Sequence, residues 1–137
     1  VLSKKNPKKI MSKPVLGIIG GGQLCSMLTI AAKKEKIKII VFSDDKDAPA
    51  QKFCDQFICS NYKDEKSINE FAKICDIVTF EFENIPFETL NKINKIKPVL
   101  PKPSVNEIVQ NRLTEKNSGF STNILSFIGI AKLLEKL

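Results

Sequence analysis

The feature that most constrains the fold is a run of three glycines between an apolar segment and an amphipathic one. The glycines occupy positions 20–22, directly after the largely apolar residues 15–19. Glycine adopts backbone dihedrals closed to residues with a Cβ and lets the main chain approach a ligand closely. A helix that starts there offers amide groups without intrahelical acceptors to an anion. The pattern predicts a strand, a glycine turn and a helix, with the turn as a phosphate site; a tight turn without a ligand is the alternative.

The segments after the glycines extend this unit. The first is predicted to be a helix with an apolar face at i, i+3, i+4 and i+7, formed by Leu24, Met27, Leu28 and Ala31. Residues 37–42 predict a second buried strand, and the turn-forming residues Ser43, Asp44 and Asp45 follow it. The chain therefore begins with a strand, glycine turn, helix and strand.

A later strand ends in alternating aromatic and acidic residues. Residues 76–83 predict a strand with Phe80 and Phe82 on one face and Glu81 and Glu83 on the other. Open α/β sheets bind ligands at the carboxyl ends of their strands. The two glutamates are therefore predicted to contact a ligand, and an exposed edge strand with a polar face is the alternative.

Strands and helices alternate along the rest of the chain. A short third strand is predicted around residues 57–59, and a helix with an apolar stripe follows it, formed by Ile68, Phe71, Ala72 and Cys75. Another helix starts near Pro86, and a short strand follows at residues 99–100. This alternation predicts the α/β class: a three-layer sandwich on a mainly parallel sheet, as in Rossmann-like domains.

Composition limits the functions available. The chain has 137 residues and a net charge of +7, but it has no histidine, and its four cysteines form no C-x-x-C pair. We therefore expect no metal site and name no catalytic residue, and we interpret Cys25 and Cys75 as core residues. The basic residues are nearly all lysines without interleaved aromatics, which argues against nucleic-acid binding. No segment is long and apolar enough to span a membrane or act as a secretion signal, so we expect a cytoplasmic protein.

Four motifs in order resemble the N-terminal domain of carboxyaminoimidazole ribonucleotide synthetase, a family of the ATP-grasp superfamily. They lie at residues 17–24, 47–50, 76–84 and 110–116. The resemblance predicts a basic extension over residues 1–13, a Rossmann-like pre-ATP-grasp domain over 14–117 and an atypical segment over 118–137.

The resemblance implies a ligase of purine biosynthesis. In this family, ATP with magnesium phosphorylates bicarbonate to carboxyphosphate, which carboxylates the amine of aminoimidazole ribonucleotide. By the same resemblance, the ribose phosphate would be held by Gly21, Gly22, Gln23 and Leu24. The aminoimidazole or the ribose would be hydrogen-bonded by Glu81, Glu83 and Asn84. Arg112 matches the family arginine that contacts ATP.

Departures from the family pattern lead to further expectations. Cys25 and Ser26 stand where the family usually has glycine and arginine, which should weaken substrate binding at the turn. Residues 118–137 do not continue into an ATP-grasp region, so we expect a truncated homologue that is inactive alone and binds neither ATP nor magnesium tightly. A homodimer or a separate ATP-grasp chain would be its partner.

Two other functions remain open from the sequence. The first is a stand-alone NAD-binding Rossmann module, because Gly20 and Gly22 follow a strand and Asp44 follows the next one. Cys25 replaces the third glycine of that fingerprint. The second is a non-catalytic partner that assembles with an intact synthetase or its companion mutase.

Overall fold

The computed structural model describes residues 13–81, 85–100 and 102–104. Within these residues a strand and a helix alternate, as the apolar periodicities predict. The strands are β1 (Val15–Ile19), β2 (Lys38–Ser43), β3 (Gln56–Cys59) and β4 (Ile77–Phe80). The α-helices are α1 (Gln23–Lys34), α2 (Glu65–Ile74) and α3 (Phe87–Asn94), and a short 3-10 helix covers Pro49–Lys52.

The four strands form one parallel sheet in the order β3-β2-β1-β4. Strand β1 lies between β2 and β4: Ile18 is paired with Val41 on one side and with Thr79 on the other. The chain therefore builds outward from β1 in one direction through β3 and then returns to the other side of β1 for β4. The predicted α/β class with a parallel sheet is confirmed.

Helices cover both faces of the sheet. One core cluster joins Ile19 and Phe42 of the sheet to Phe71 of α2 and Leu90 of α3. A second cluster lies on the opposite face, where alternate strand residues meet α1 and the 3-10 helix; its buried members are Leu16, Ile18, Cys25, Leu28, Ala32, Ile37, Ile39, Val41 and Ala50. Because neighbouring residues of a strand point to opposite faces, both sides of the sheet are apolar. The predicted three-layer sandwich is confirmed.

The predicted buried face of α1 is wrong by about one residue. Met27 is 62% exposed, and Ala31 is also exposed, whereas the buried residues are Cys25, Ser26, Leu28, Thr29 and Ala32. Thr29 can be buried because its hydroxyl donates to the carbonyl of Cys25 at 2.7 Å. A search for apolar residues alone therefore misplaced the face of the helix.

The other elements follow the predictions more closely. The stripe on α2 is buried, and Cys25 and Cys75 are core residues whose pKa values burial raises to about 12. The short strand at residues 99–100 is reduced to a single bridge between Val99 and Val78. Residues 82–84, the end of the strand predicted over 76–83, lie outside the described residues. None of the helices in the described part is both long and apolar enough to cross a membrane.

Gly17 tests how tightly β1 packs on α2. A Cβ at this position would lie 2.5 Å from Sγ of Cys75 and 2.7 Å from Cζ of Phe71. Both neighbours are buried, so we expect Gly17→Ala to lower the free energy of unfolding by about 1–3 kcal/mol through overpacking. Urea denaturation measures this, with Lys38→Ala at an exposed strand position as the control. Equal stabilities of the two variants would contradict the packing described here.

Candidate functional site

The candidate site lies at the carboxyl end of the sheet, where β1, β2 and β4 end side by side. Gly20, Gly21 and Gly22 connect β1 to α1, Ser43 ends β2, and Glu81 directly follows β4. The strand order changes direction at β1, since the chain proceeds from β1 to β2 on one side and reaches β4 on the other. In open parallel sheets a crevice for ligands forms at this kind of switch point.

The backbone of the glycine turn is fixed by hydrogen bonds to neighbouring segments. The amide of Gly20 donates to the carbonyl of Phe42 at 2.9 Å, and the amide of Ala50 donates to the carbonyl of Gly21 at 3.0 Å. Gly20 and Gly21 have φ values of 140° and 111°, which residues with a Cβ rarely adopt. A Cβ on Gly21 would also lie 2.8 Å from Cβ of Ala48. The turn therefore requires glycine at both positions.

Glu81 binds the glycine turn from the end of β4. Its amide donates to the carbonyl of Ile19 at 3.1 Å, and its Oε1 accepts a hydrogen bond from the amide of Gly22 at 2.8 Å. A Cβ on Gly20 would lie 2.8 Å from Oε1 of Glu81, and one on Gly22 would lie 3.0 Å from it. Two of the glycines thus make room for this carboxylate. The amide predicted to meet a phosphate is bonded to a side chain of the protein itself.

The environment of Glu81 acts on its pKa in two directions. Partial burial raises the pKa above its ordinary value of 4.5, and the amides of Gly22 and Gly21 oppose this by stabilising the charged form. Burial is the larger effect. The carboxyl therefore holds its proton more strongly in the folded chain than in the unfolded one.

An acidic pocket opens beside this contact. It has a volume of about 170 Å3 and is lined by Gly20, Gly21, Gly22, Ser43, Asp44, Asp45, Ala48, Pro49, Tyr62 and Glu81. The lining includes three carboxylates and neither lysine nor arginine. This volume is below the roughly 300–1,000 Å3 of sites for drug-sized ligands. The described residues therefore enclose a group about the size of a sugar and favour hydrogen-bond donors.

Tyr62 closes the back of the pocket. Its hydroxyl donates to the carbonyl of Gly20 at 3.5 Å, and burial raises its pKa to about 12. The ring packs edge-on against Phe42, with 5.7 Å between the ring centroids. Tyr62 therefore remains a neutral donor and supports the first residue of the turn from behind.

The structure brings together part of the predicted site. Gly21 and Gly22 line the pocket, and Glu81 contacts Gly22. Gln23 and Leu24 begin α1, where Gln23 is exposed and Leu24 is half-buried. The predicted substrate contacts Glu83 and Asn84 and the predicted ATP contact Arg112 lie outside the described residues. For all eight residues, the assignment to a ligand stays a prediction.

Sequence reasoning did not assign Tyr62 or Asp45 to the site. Asp45 follows the carboxyl end of β2, and Tyr62 follows that of β3, so both had a detectable signal in their position after a strand. Each was overlooked because the search after a strand was limited to glycines and to the paired glutamates. Their contribution depends on the order of the strands, which the periodicity of a single segment does not show.

The fold and the site define a Rossmann-like ligand-binding domain, with a glycine turn at the switch point of a parallel sheet. The family model for the ribonucleotide synthetase preATP-grasp domain matches residues 11–110. The chain belongs to this family. The resemblance identified from the four motifs is thereby confirmed.

The relatives are full-length enzymes of one kind. The chain is 38% identical over 140 residues to N5-carboxyaminoimidazole ribonucleotide synthase of Staphylococcus epidermidis, covering 96% of the chain and 37% of the relative. It resembles the solved Staphylococcus aureus N5-carboxyaminoimidazole synthetase with ADP, with 35% identity and a TM-score of 0.69 over 77% of this chain and 30% of that one. The Aspergillus clavatus enzyme, solved with ADP and 5-aminoimidazole ribonucleotide, gives 26% identity and a TM-score of 0.66 over 77% and 28%. The chain thus spans about a third of the length of these relatives.

The raised pKa of Glu81 predicts a pH dependence of stability. As pH rises from about 4.5 through the folded-state pKa, the folded chain releases a proton that the unfolded chain has already lost. Wild type should therefore lose stability relative to Glu81→Gln over this range. Urea denaturation at a series of pH values measures the difference.

Glu65 provides a control of opposite sign for this experiment. The hydrogen bond and charge of Lys92 lower the pKa of Glu65, so wild type should gain stability relative to Glu65→Gln as pH rises toward 4.5. A Glu81 difference that follows the same sign as the Glu65 difference would contradict the burial of the Glu81 carboxylate.

Proposed function

We propose that this chain supplies the nucleotide-substrate-binding domain of an ATP-dependent ligase that carboxylates aminoimidazole ribonucleotide with bicarbonate in purine biosynthesis. Membership of the ribonucleotide synthetase preATP-grasp family and the names of the relatives support the proposal. Because the chain spans 37% of its Staphylococcus epidermidis relative, the ATP-binding part would come from further sequence or from another chain. A second copy of the chain is the other partner we propose.

The observation that carries the proposal is the combination of helix amides and carboxylates at one pocket. Gly21, Gly22, Gln23 and Leu24 form the start of α1, where first-turn amides favour a phosphate. The carboxylate of Glu81 adjoins this turn and can accept hydrogen bonds from ribose hydroxyls or from an amine. A ribose phosphate carries both kinds of group within the length of one sugar. Glu83 and Asn84 follow Glu81 in sequence and are proposed to extend the same contacts.

ATP and magnesium fit this pocket poorly. Its lining holds the carboxylates of Asp44, Asp45 and Glu81 without a lysine or arginine, and these would repel a triphosphate. The described ranges also contain no group of three or more side chains suited to a metal ion. We therefore propose that ATP and its magnesium bind outside this pocket, with Arg112 as a contact. When bound, ATP would supply the phosphoryl group that activates bicarbonate.

One observation favours the alternative of an NAD-binding module. Asp44 follows β2 and lines the pocket, in the position from which an acidic residue binds the ribose of a dinucleotide. Against it, Cys25 occupies the place of the third glycine and is fully buried in the core. Calorimetry separates the two functions, because the ligase proposal expects saturable binding of aminoimidazole ribonucleotide and none of NADH at the same concentrations.

A variant at the turn tests whether the nucleotide binds in this pocket. Gly22 has a φ of −74°, so Gly22→Ala keeps an allowed backbone, but its methyl group would lie 3.0 Å from Oε1 of Glu81. We expect the affinity for aminoimidazole ribonucleotide to fall about tenfold, which corresponds to about 1.4 kcal/mol. Isothermal titration calorimetry measures it.

The matched control is Gln51→Ala, which changes an exposed residue outside the pocket lining. It should bind the nucleotide as wild type does. Equal affinities of Gly22→Ala and Gln51→Ala would place the nucleotide elsewhere, and tight binding of NADH by wild type would contradict the ligase proposal.

A further inference from the structure

The amide at the start of α1 already has an anionic partner. Oε1 of Glu81 accepts from the amide of Gly22 at 2.8 Å, and the amide of Gly21 also stabilises the Glu81 carboxylate. Gly22 is the N-cap of α1, a helix of 12 residues with no acidic residue in its first turn. The carboxylate of Glu81 thus takes the position in which a phosphate would meet the helix.

We propose that Glu81 is a specificity-determining residue of this pocket: it excludes free inorganic phosphate and admits a phosphate that is attached to a ribose. This inference rests on the proposed function of the site. It concerns the exchange of one anion for another at the amide of Gly22, and it assigns to Glu81 a role in rejecting ligands as well as in binding them.

The argument follows from what each ligand offers to the displaced carboxylate. A free phosphate that took the amide of Gly22 would lie beside Glu81, Asp44 and Asp45, with no cation among the residues that line the pocket. Like charges at such distances repel, and the half-buried Glu81 would lose its hydrogen-bond donor. Displacement by phosphate alone is therefore unfavourable.

A ribose phosphate changes this balance. When its phosphate binds the amide, its hydroxyls are available as donors to the carboxylate that the phosphate displaced. Each group that loses a partner then gains another, which is the condition for burying polar groups without a large penalty. The sugar-sized volume of the pocket, about 170 Å3, is consistent with a ribose beside Glu81.

The experiment measures the binding of inorganic phosphate and of ribose 5-phosphate to the whole chain by calorimetry. Wild type should bind ribose 5-phosphate at least tenfold more tightly than phosphate. Glu81→Ala exposes the amide of Gly22, so its affinity for phosphate should rise about tenfold, and the preference for the sugar phosphate should be lost. The amide resonance of Gly22 in nitrogen-15 NMR spectra should shift on addition of phosphate to Glu81→Ala and not to wild type.

The matched control is Glu88→Ala, which removes the same charge from an exposed position on α3. If Glu81→Ala does not fold, Glu81→Gln and Glu88→Gln replace the pair, and the same comparison applies with a smaller expected gain. Equal phosphate affinities in the Glu81 and Glu88 variants would overturn the inference.

Titration with aminoimidazole ribonucleotide separates this result from the fate of the proposed function. If wild type binds the nucleotide but phosphate affinity does not respond to Glu81, the specificity role is wrong and the function stands. If phosphate affinity responds to Glu81 but wild type does not bind the nucleotide, the exclusion of phosphate stands and the proposed substrate is wrong.

Discussion

The hydrogen bond between the amide of Gly22 and the carboxylate of Glu81 is the interaction on which the site depends. It joins residues 59 positions apart, at the start of α1 and the end of β4. Helices usually receive an anionic or polar partner at this end from their own first turn, but the N-cap of α1 is a glycine and its first turn has no acidic residue. Glu81 supplies that partner across the sheet. The helix start and the strand end are therefore held as one unit.

The parallel topology is what makes this contact possible. β1 pairs with β4 in register up to Ile19 and Phe80, and the amide of Glu81 continues the ladder by donating to the carbonyl of Ile19. The residue after Phe80 is therefore carried to the level of the glycine turn. On the other side of β1, the amide of Gly20 bonds to Phe42 at the end of β2. The turn is fixed between its two neighbouring strands.

The sequence was sufficient for the fold because each layer has its own apolar pattern. The strands, the stripe of α2 and the glycine turn could be predicted from local spacing, since burial on both faces leaves strands almost without polar residues. The phase of α1 could not, because Thr29 is buried through a hydrogen bond to its own helix. The contact of Glu81 with Gly22 and the position of Tyr62 depend on strand order, which local patterns do not contain. Glu83, Asn84 and Arg112 remain predictions from the sequence.

The charge of this chain illustrates why a site must be considered separately from the whole. The net charge is +7, yet the pocket at the switch point is lined by three carboxylates and no cation. A glycine turn before a helix is commonly interpreted as a site for an external anion, because the amides there favour negative charge. The same amides are equally satisfied by an acidic side chain that a neighbouring parallel strand delivers. Where a glutamate directly follows the strand beside the turn, the internal carboxylate comes first, and the ligand must offer both an anion to replace it and donors to receive it.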